Sequence, residues 1–176
     1  MKTTTTAEFR AISKGNIKNL INFSSYKKIE GGGFLGLFKK VEYQDNFESY
    51  LAQNTQLIDE MTGKGFLYFD DMVAFLKKYK SIDLKQPEYA DPNIDMILER
   101  EENAYFLDFD YVNLINEKLS NISVENEELT EFNNINSPDI PMADMIVFQQ
   151  DQIKKLSLIF KLFRNEVMYI RCELSQ

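Results

Sequence analysis

The apolar pattern near the end of the chain constrains the fold most, because its spacings alternate between four and three residues. The residues on this seam are Met142, Ile146, Gln149, Ile153, Leu156, Phe160, Phe163, Val167 and Ile170. Such a repeat is typical of a helix with one apolar stripe, and it predicts a long C-terminal helix. Leu158 and Leu162 widen the stripe, which favours burial of the helix along a core. The alternative is a homodimer formed through residues 142–170.

Helix-capping patterns predict several more helices earlier in the chain. Residues 5–8, Thr-Thr-Ala-Glu, fit a capping box and predict an N-terminal helix that breaks at Gly15. Further helix starts are predicted at Asp45, at Asp70 or Asp71, and at Asp91-Pro92. We expect the helix that starts near Asp45 to continue to Met61. The next helix should end in the lysines at positions 77, 78 and 80, which suit the negative end of a helix dipole.

Short aromatic runs predict strands at Phe66–Phe69 and Tyr105–Phe109, with a weaker candidate at Phe34–Tyr43. The 44% of hydrophobic residues among 176 is enough to build a core without disulfides or metals. We therefore expect a mainly α fold, with an α+β arrangement as the alternative. It would be one compact globular domain over residues 1–176, with two or three short strands and a long C-terminal helix.

The negative charge is concentrated in the middle of the chain. Residues 81–151 carry 17 acidic side chains against 3 basic ones, whereas the segments on either side each carry a net charge of +3. The acidic residues most suited to bind a partner are Glu99, Glu101, Glu102, Glu125, Glu127, Glu128 and Glu131. Such a surface would repel nucleic-acid phosphates and speed the encounter with a basic protein. A solvated face balanced by lysines of the same chain is the alternative.

The absence of histidine removes much of the catalytic repertoire. Without histidine, and with Cys172 as the single cysteine, the chain cannot form a Ser-His-Asp triad, a Cys-His pair or an ordinary zinc site. We therefore expect no cofactor. Asp108 and Asp110 are weak candidates for a shared hard cation such as Mg²⁺, because alternate residues of a strand face the same side. Helix capping by these aspartates is the alternative.

The N-terminus lacks the apolar segment of a secretory signal, and no apolar run is long enough to span a bilayer. We therefore predict a cytoplasmic protein that binds neither membranes nor nucleic acids. The favoured function is a non-catalytic protein-binding module whose acidic central face, residues 81–151, docks a basic protein. The alternatives are a carboxylate-dependent, Mg-assisted hydrolase and a self-associating structural subunit.

In size and charge the chain resembles small acidic bacterial proteins that bind and neutralise basic toxins, such as the nuclease immunity proteins. This likeness involves no sequence motif. It implies an inhibitor-like role without a catalytic residue of its own.

Overall fold

A computed structural model describes residues 4–24, 27–31, 40–44, 46–58, 68–86, 92–101, 104–136 and 142–175. Within these ranges the chain forms seven helices and six strands. The strands are β1 (Thr4–Ile12), β2 (Lys27–Gly31), β3 (Lys40–Gln44), β4 (Gln56–Leu57), β5 (Ala104–Asp108) and β6 (Val167–Ser175). The helices are α1 (Lys14–Ser24), α2 (Phe47–Asn54), α3 (Phe69–Lys80), α4 (Pro92–Arg100), α5 (Phe109–Asn121), α6 (Asn126–Asn136) and α7 (Met142–Leu162).

Four of the strands form an antiparallel sheet in the order β4-β1-β6-β5. β6 pairs with β1 along its whole length, from Ser175 opposite Thr4 to Val167 opposite Ile12. Its other edge pairs with β5, where Asp108 lies opposite Val167. Because β1 and β5 both run antiparallel to β6, their C-terminal ends lie at the same end of the sheet. The strands β2 and β3 form a separate antiparallel pair.

Side chains that alternate along the strands build a hydrophobic core on each face of the sheet. On one face, Phe9, Met168 and Ile170 are buried with side chains of α3, α5, α6 and α7. On the other face, Phe106 and Tyr169 are buried with side chains of α1, α2 and α4. The sheet is therefore the middle layer of three. The predicted mainly helical fold with a few strands is confirmed, while its description as one compact domain stays a prediction.

The C-terminal prediction is confirmed for α7 and wrong beyond it. Gln149, Ile153 and Leu156 of the seam are buried, as expected for a helix along the core. The helix ends at Leu162, however, and residues 167–170 belong to β6. Both faces of β6 are buried, so its four first residues are all apolar and carry no strand alternation. In a continuous apolar run some residues necessarily fall at spacings of three and four, so Val167 and Ile170 matched the helical pattern by coincidence.

The predicted N-terminal helix is also wrong, because residues 4–12 form β1. Ala7, Phe9 and Ala11 alternate into the core, and the preceding threonines are β-branched and favour a strand. Gly15 does not break a helix but lies in the first turn of α1.

The remaining elements lie close to their predicted places. β5 confirms the strand at 105–109 apart from its last residue, and α4 begins at Pro92. α2 ends at Asn54 and not at Met61, and its C-cap residue Thr55 donates its hydroxyl hydrogen to the Leu51 carbonyl. Phe69 opens α3 and is not in a strand, whereas residues 59–67 and 32–39 lie outside the described residues. α3 does end in the three predicted lysines.

The one polar residue of the α7 seam, Gln149, is paired with Asn133 of α6. Each amide donates to the other's oxygen, at 2.7 Å from Asn133 Nδ2 and 2.9 Å from Gln149 Nε2. Both residues are buried. A buried amide is stabilising only while its partner is present, so this pair fixes the position of α6 on α7.

Asn133→Leu should lower the free energy of unfolding by about 1–3 kcal/mol, because it leaves the Gln149 amide buried without its partner. Adding Gln149→Met should recover much of this loss, since both polar groups are then gone. Urea unfolding of the two single variants and the double variant measures the coupling. Strictly additive losses would show that the two amides are solvated independently.

Candidate functional site

The two acidic clusters predicted to form one surface lie on opposite sides of the sheet. α4, which carries Glu99, packs through Ile94 and Ile97 into the core that contains Phe106. α6 packs through Leu129 and Phe132 into the core that contains Phe9. A single partner helix or loop cannot contact both clusters at once. Glu102 lies outside the described residues.

Glu101, at the end of α4, is part of a polar network on the sheet. It accepts a hydrogen bond from the Tyr169 hydroxyl, and its Oε1 lies 2.9 Å from an Arg171 guanidinium nitrogen. Arg171 Nη1 also donates to Glu48 of α2 at 2.8 Å. The side chains of Glu101 and Arg171 are only 11% and 17% exposed. Glu101 therefore stabilises the fold and has little surface to offer a partner.

Burial raises the pKa of Tyr169 well above its ordinary value, and the negative charge of Glu101 beside its hydroxyl raises it further. Burial opposes the charged form of Arg171, but the hydrogen bond to Glu48 and the charge of Glu101 outweigh it and raise the pKa of the guanidinium. Tyr169 thus stays a hydrogen-bond donor and Arg171 stays a cation at neutral pH.

Three of the four carboxylates of the α6 cluster accept a hydrogen bond from another side chain in the described part of the chain. Glu128 accepts a hydrogen bond from Lys80 Nζ at 2.7 Å, and this bond holds the pKa of Glu128 below its ordinary value. Glu131 accepts from the Tyr79 hydroxyl at 2.9 Å. Glu125 and Glu127 are both exposed. Glu125 precedes the first residue of α6, and its carboxylate accepts a hydrogen bond from the Ser123 hydroxyl. Its backbone N–H donates to Glu128 at 3.1 Å, which is the return half of a capping box.

A groove lined by both polar and apolar side chains lies beside the first turn of α6. Its volume is about 450 Å³, and it lies between the end of α5, the α5–α6 loop and the middle of α7. The lining residues are Leu119, Ile122, Ser123, Val124, Gln150, Ile153, Lys154 and Ser157. Gln150 Nε2 donates to Asn126 Oδ1 at 2.8 Å, which joins α7 to the first turn of α6. Val124, which lines the groove, directly precedes Glu125, so Glu125 and Glu127 follow the groove along the chain at the start of α6.

A second pocket, of about 420 Å³, lies at the sheet end where β1 and β5 finish. Asp108 and Asp110 both line it, together with Lys14, Phe109, Arg164, Asn165 and Glu166. β5 ends at Asp108, however, and Asp110 lies in α5. The prediction that alternation along one strand places Asp108 and Asp110 on the same side therefore does not apply.

Asp108 acts as the N-cap of α5. One of its oxygens accepts from the Tyr111 backbone N–H, and the other accepts from Gln86 Nε2, both at 2.8 Å. Capping of α5, the alternative use of Asp108, therefore engages one oxygen, and the hydrogen bond from Gln86 engages the other. In the described part of the chain, no group of three or more carboxylate or thiol side chains is placed to hold a metal ion.

The single thiol is suited to a structural role. Burial raises the pKa of Cys172 to about 12, with a further increase from the charges of Asp70 and Glu101. A thiol with such a pKa is almost fully protonated at neutral pH and is a poor nucleophile.

No family model matches the sequence, and no curated protein or solved structure shows a significant similarity to it. The geometry of the described residues is therefore the basis for a functional proposal. None of the described helices is both long and apolar enough to cross a bilayer.

The groove is the feature that sequence reasoning missed. Its walls come from α5, the α5–α6 loop and α7, and only tertiary packing brings these segments together. The single local signal was the apolar pair Ile122 and Val124, which stands between two polar helix ends.

Proposed function

We propose that the protein is a non-catalytic binding module that docks a basic segment of another protein in the groove between α5, the α5–α6 loop and α7. The observation that carries the proposal is the exposed pair Glu125 and Glu127, which come just after Val124, one of four apolar residues that line the groove. Apolar side chains of the partner would fill the groove, and its cations would face these glutamates. An apolar centre with a charged rim is typical of protein interfaces.

Charge around the groove supports a basic partner. Two further carboxylates near it already have intrachain cations, since Glu128 is paired with Lys80, and Asp151 lies 2.9 Å from Lys155. Glu125 and Glu127 have no cation partner among the described residues, although Glu125 accepts a hydrogen bond from the Ser123 hydroxyl. Lys154 in the opposite wall would disfavour a uniformly basic segment and favour one with its cations at one end.

Within the predicted acidic face of residues 81–151, only the start of α6, with Glu125 and Glu127, is suited to test binding. Glu101 is paired with Arg171 and accepts a hydrogen bond from Tyr169, so a substitution at Glu101 would lower the stability of the fold and could not report on binding alone. Glu128 is unsuitable as a probe for the same reason, because it pairs with Lys80 and completes the cap of α6.

The test combines E125K and E127K in one variant and compares it with a matched control, D95K/E99K, on the other side of the sheet. All four positions are exposed, and both variants change the net charge equally. Immobilised wild-type protein is used to recover binding proteins from a lysate of the native host at low salt. The affinity of a recovered basic protein is then measured by calorimetry for each variant.

We expect E125K/E127K to weaken that affinity at least about tenfold, or about 1.4 kcal/mol, while D95K/E99K leaves it nearly unchanged. Binding should also weaken steeply with salt, because the rim contacts are electrostatic. Equal affinity of wild type and E125K/E127K, or salt-independent binding, would refute the proposal.

A further inference from the structure

The outward face of α7 has a residue pattern that the core does not explain. Its buried residues lie on the side that faces the core, and the opposite face carries every exposed residue of the helix: Ala143, Asp144, Val147, Asp151, Lys154, Leu158, Lys161 and Leu162. Val147 and Leu162 are among the most exposed apolar side chains described, at 67% and 51%. Large apolar residues repeated along an exposed helix face indicate a contact surface.

This set is symmetric about a point between Gln152 and Ile153, half a residue from the midpoint of the helix. Asp151 and Lys154 are equally far from that point, and so are Asp144 and Lys161. The apolar residues obey the same symmetry, since Val147 matches Leu158 and Ala143 matches Leu162. Each exposed residue of one half thus has a counterpart in the other half, either of opposite charge or apolar like itself.

Such symmetry is what a two-fold antiparallel helix pair requires. In a contact of this kind, a residue of one copy meets its counterpart in the other copy, and the reverse contact occurs at the symmetric place. A pair centred on this point of α7 sets Asp151 level with Lys154 of the second copy. It also sets Val147 level with Leu158, over a helix about 30 Å long.

We propose that a second copy of this chain packs on the exposed face of α7 in this antiparallel arrangement. Charge complementarity selects the second copy as the occupant, because four Asp–Lys contacts form at once across the two-fold axis. A parallel pair would instead place Asp opposite Asp and Lys opposite Lys, which is unfavourable.

Single-helix electrostatics explains only part of the pattern. An acidic residue near the start of a helix and a basic one near its end suit the helix dipole, which accounts for Asp144 and Lys161. The dipole effect is confined to the terminal turns, so it does not account for Lys154 beside the midpoint. Asp151 pairs with Lys155 of its own helix at 2.9 Å, and in the dimer it would contact Lys154 of the second copy as well. The dipole also gives no reason for the exposed Val147 and Leu158.

This contact differs from the homodimer predicted from the apolar seam. The seam residues Gln149, Ile153 and Leu156 are buried within the chain and are not accessible to a second copy. The proposed dimer uses the opposite side of the same helix.

A charge-swap experiment tests the arrangement on the full-length chain. Sedimentation equilibrium is measured for wild type, for D151K, for K154D and for D151K/K154D. We expect a wild-type dimer, and we expect each single substitution to raise its dissociation constant at least about tenfold, since each places like charges opposite one another twice. The double substitution should restore the dimer, because the pairs are only reversed.

Two further variants separate this contact from general surface effects. L158D should abolish the dimer, whereas M96D, at an exposed apolar position on α4, should leave it intact. Circular dichroism establishes that each variant is folded. A monomeric wild type at high concentration, a dimer that survives L158D, or a double substitution that fails to restore association would each overturn the proposal.

Discussion

Arg171→Met is expected to lower the free energy of unfolding by about 3–5 kcal/mol, which is the range for removing one partner of a buried ion pair. The guanidinium is the cation for Glu101, whose side chain is 11% exposed. Without it, Glu101 keeps only the Tyr169 hydroxyl as a described partner and remains a poorly solvated carboxylate. Urea unfolding at neutral pH measures the loss, with one value for the dependence of the free energy of unfolding on urea concentration used for all variants.

The control for this prediction is Glu48→Gln, which removes the other carboxylate that Arg171 contacts. Glu48 is exposed, so its ion pair should contribute less than about 1 kcal/mol. A second variant, R171M/E101Q, should be more stable than R171M alone because no unpaired charge remains. If R171M and E48Q lost equal free energy of unfolding, Glu101 would have to be well solvated without Arg171. The interpretation of Glu101 as a buried partner of Arg171 would then be wrong.

The second large effect is a loss of stability at alkaline pH. Burial raises the pKa of Cys172 from 9.0 to about 12 and the pKa of Tyr105 from 10.0 to about 12. A group with a raised pKa in the folded state stabilises the protein fully below its ordinary pKa, and this contribution is lost as pH rises towards the folded value. The loss should therefore begin near pH 9 with Cys172 and continue with the tyrosines.

Linkage gives the size of this effect at pH 11. The contribution is about 2–3 kcal/mol for Cys172 and about 1 kcal/mol for Tyr105. Tyr169, whose pKa is raised in the same direction, adds to the loss. Urea unfolding at several pH values between 9 and 12 measures the total.

Cys172→Ala is the matched variant for the alkaline prediction. It removes the thiol that titrates first in the unfolded state, so between pH 9 and pH 10 its stability should fall by about 1 kcal/mol less than that of wild type. Identical pH profiles for the two proteins would mean that the thiol is solvated in the folded state.

The elements that sequence predicted well are those that local contacts determine. The Asp108 cap depends on a residue only three positions away, Tyr111, and capping by an aspartate ahead of a helix is visible in the sequence. The core helix α7 was predicted because only one of its faces is buried, which leaves a clear spacing. β6 is buried on both faces and lacks such a pattern, so its first residues were assigned to the helix.

The acidic residues show why the candidate site was harder to predict. Glu101 and Glu128 belong to similar clusters in sequence, yet their cations, Arg171 and Lys80, are far away along the chain. Nothing local to either glutamate distinguishes it from the exposed Glu127. The side of the sheet on which each cluster lies depends on the packing of α4 and α6, which the charge pattern does not encode.

The place of β6 in the sheet has a consequence for how the chain folds. β6 is the last element in sequence, yet it is a central strand and forms part of both cores. β1 pairs with it across nearly the entire sequence, so the longest loop must close before most of the sheet exists. Contacts so distant in sequence slow folding. Until β6 is in place, the helices on the two faces of the sheet lack the central strand on which both sets pack. The edge of β1 that pairs with β6 is then open to pairing with other chains.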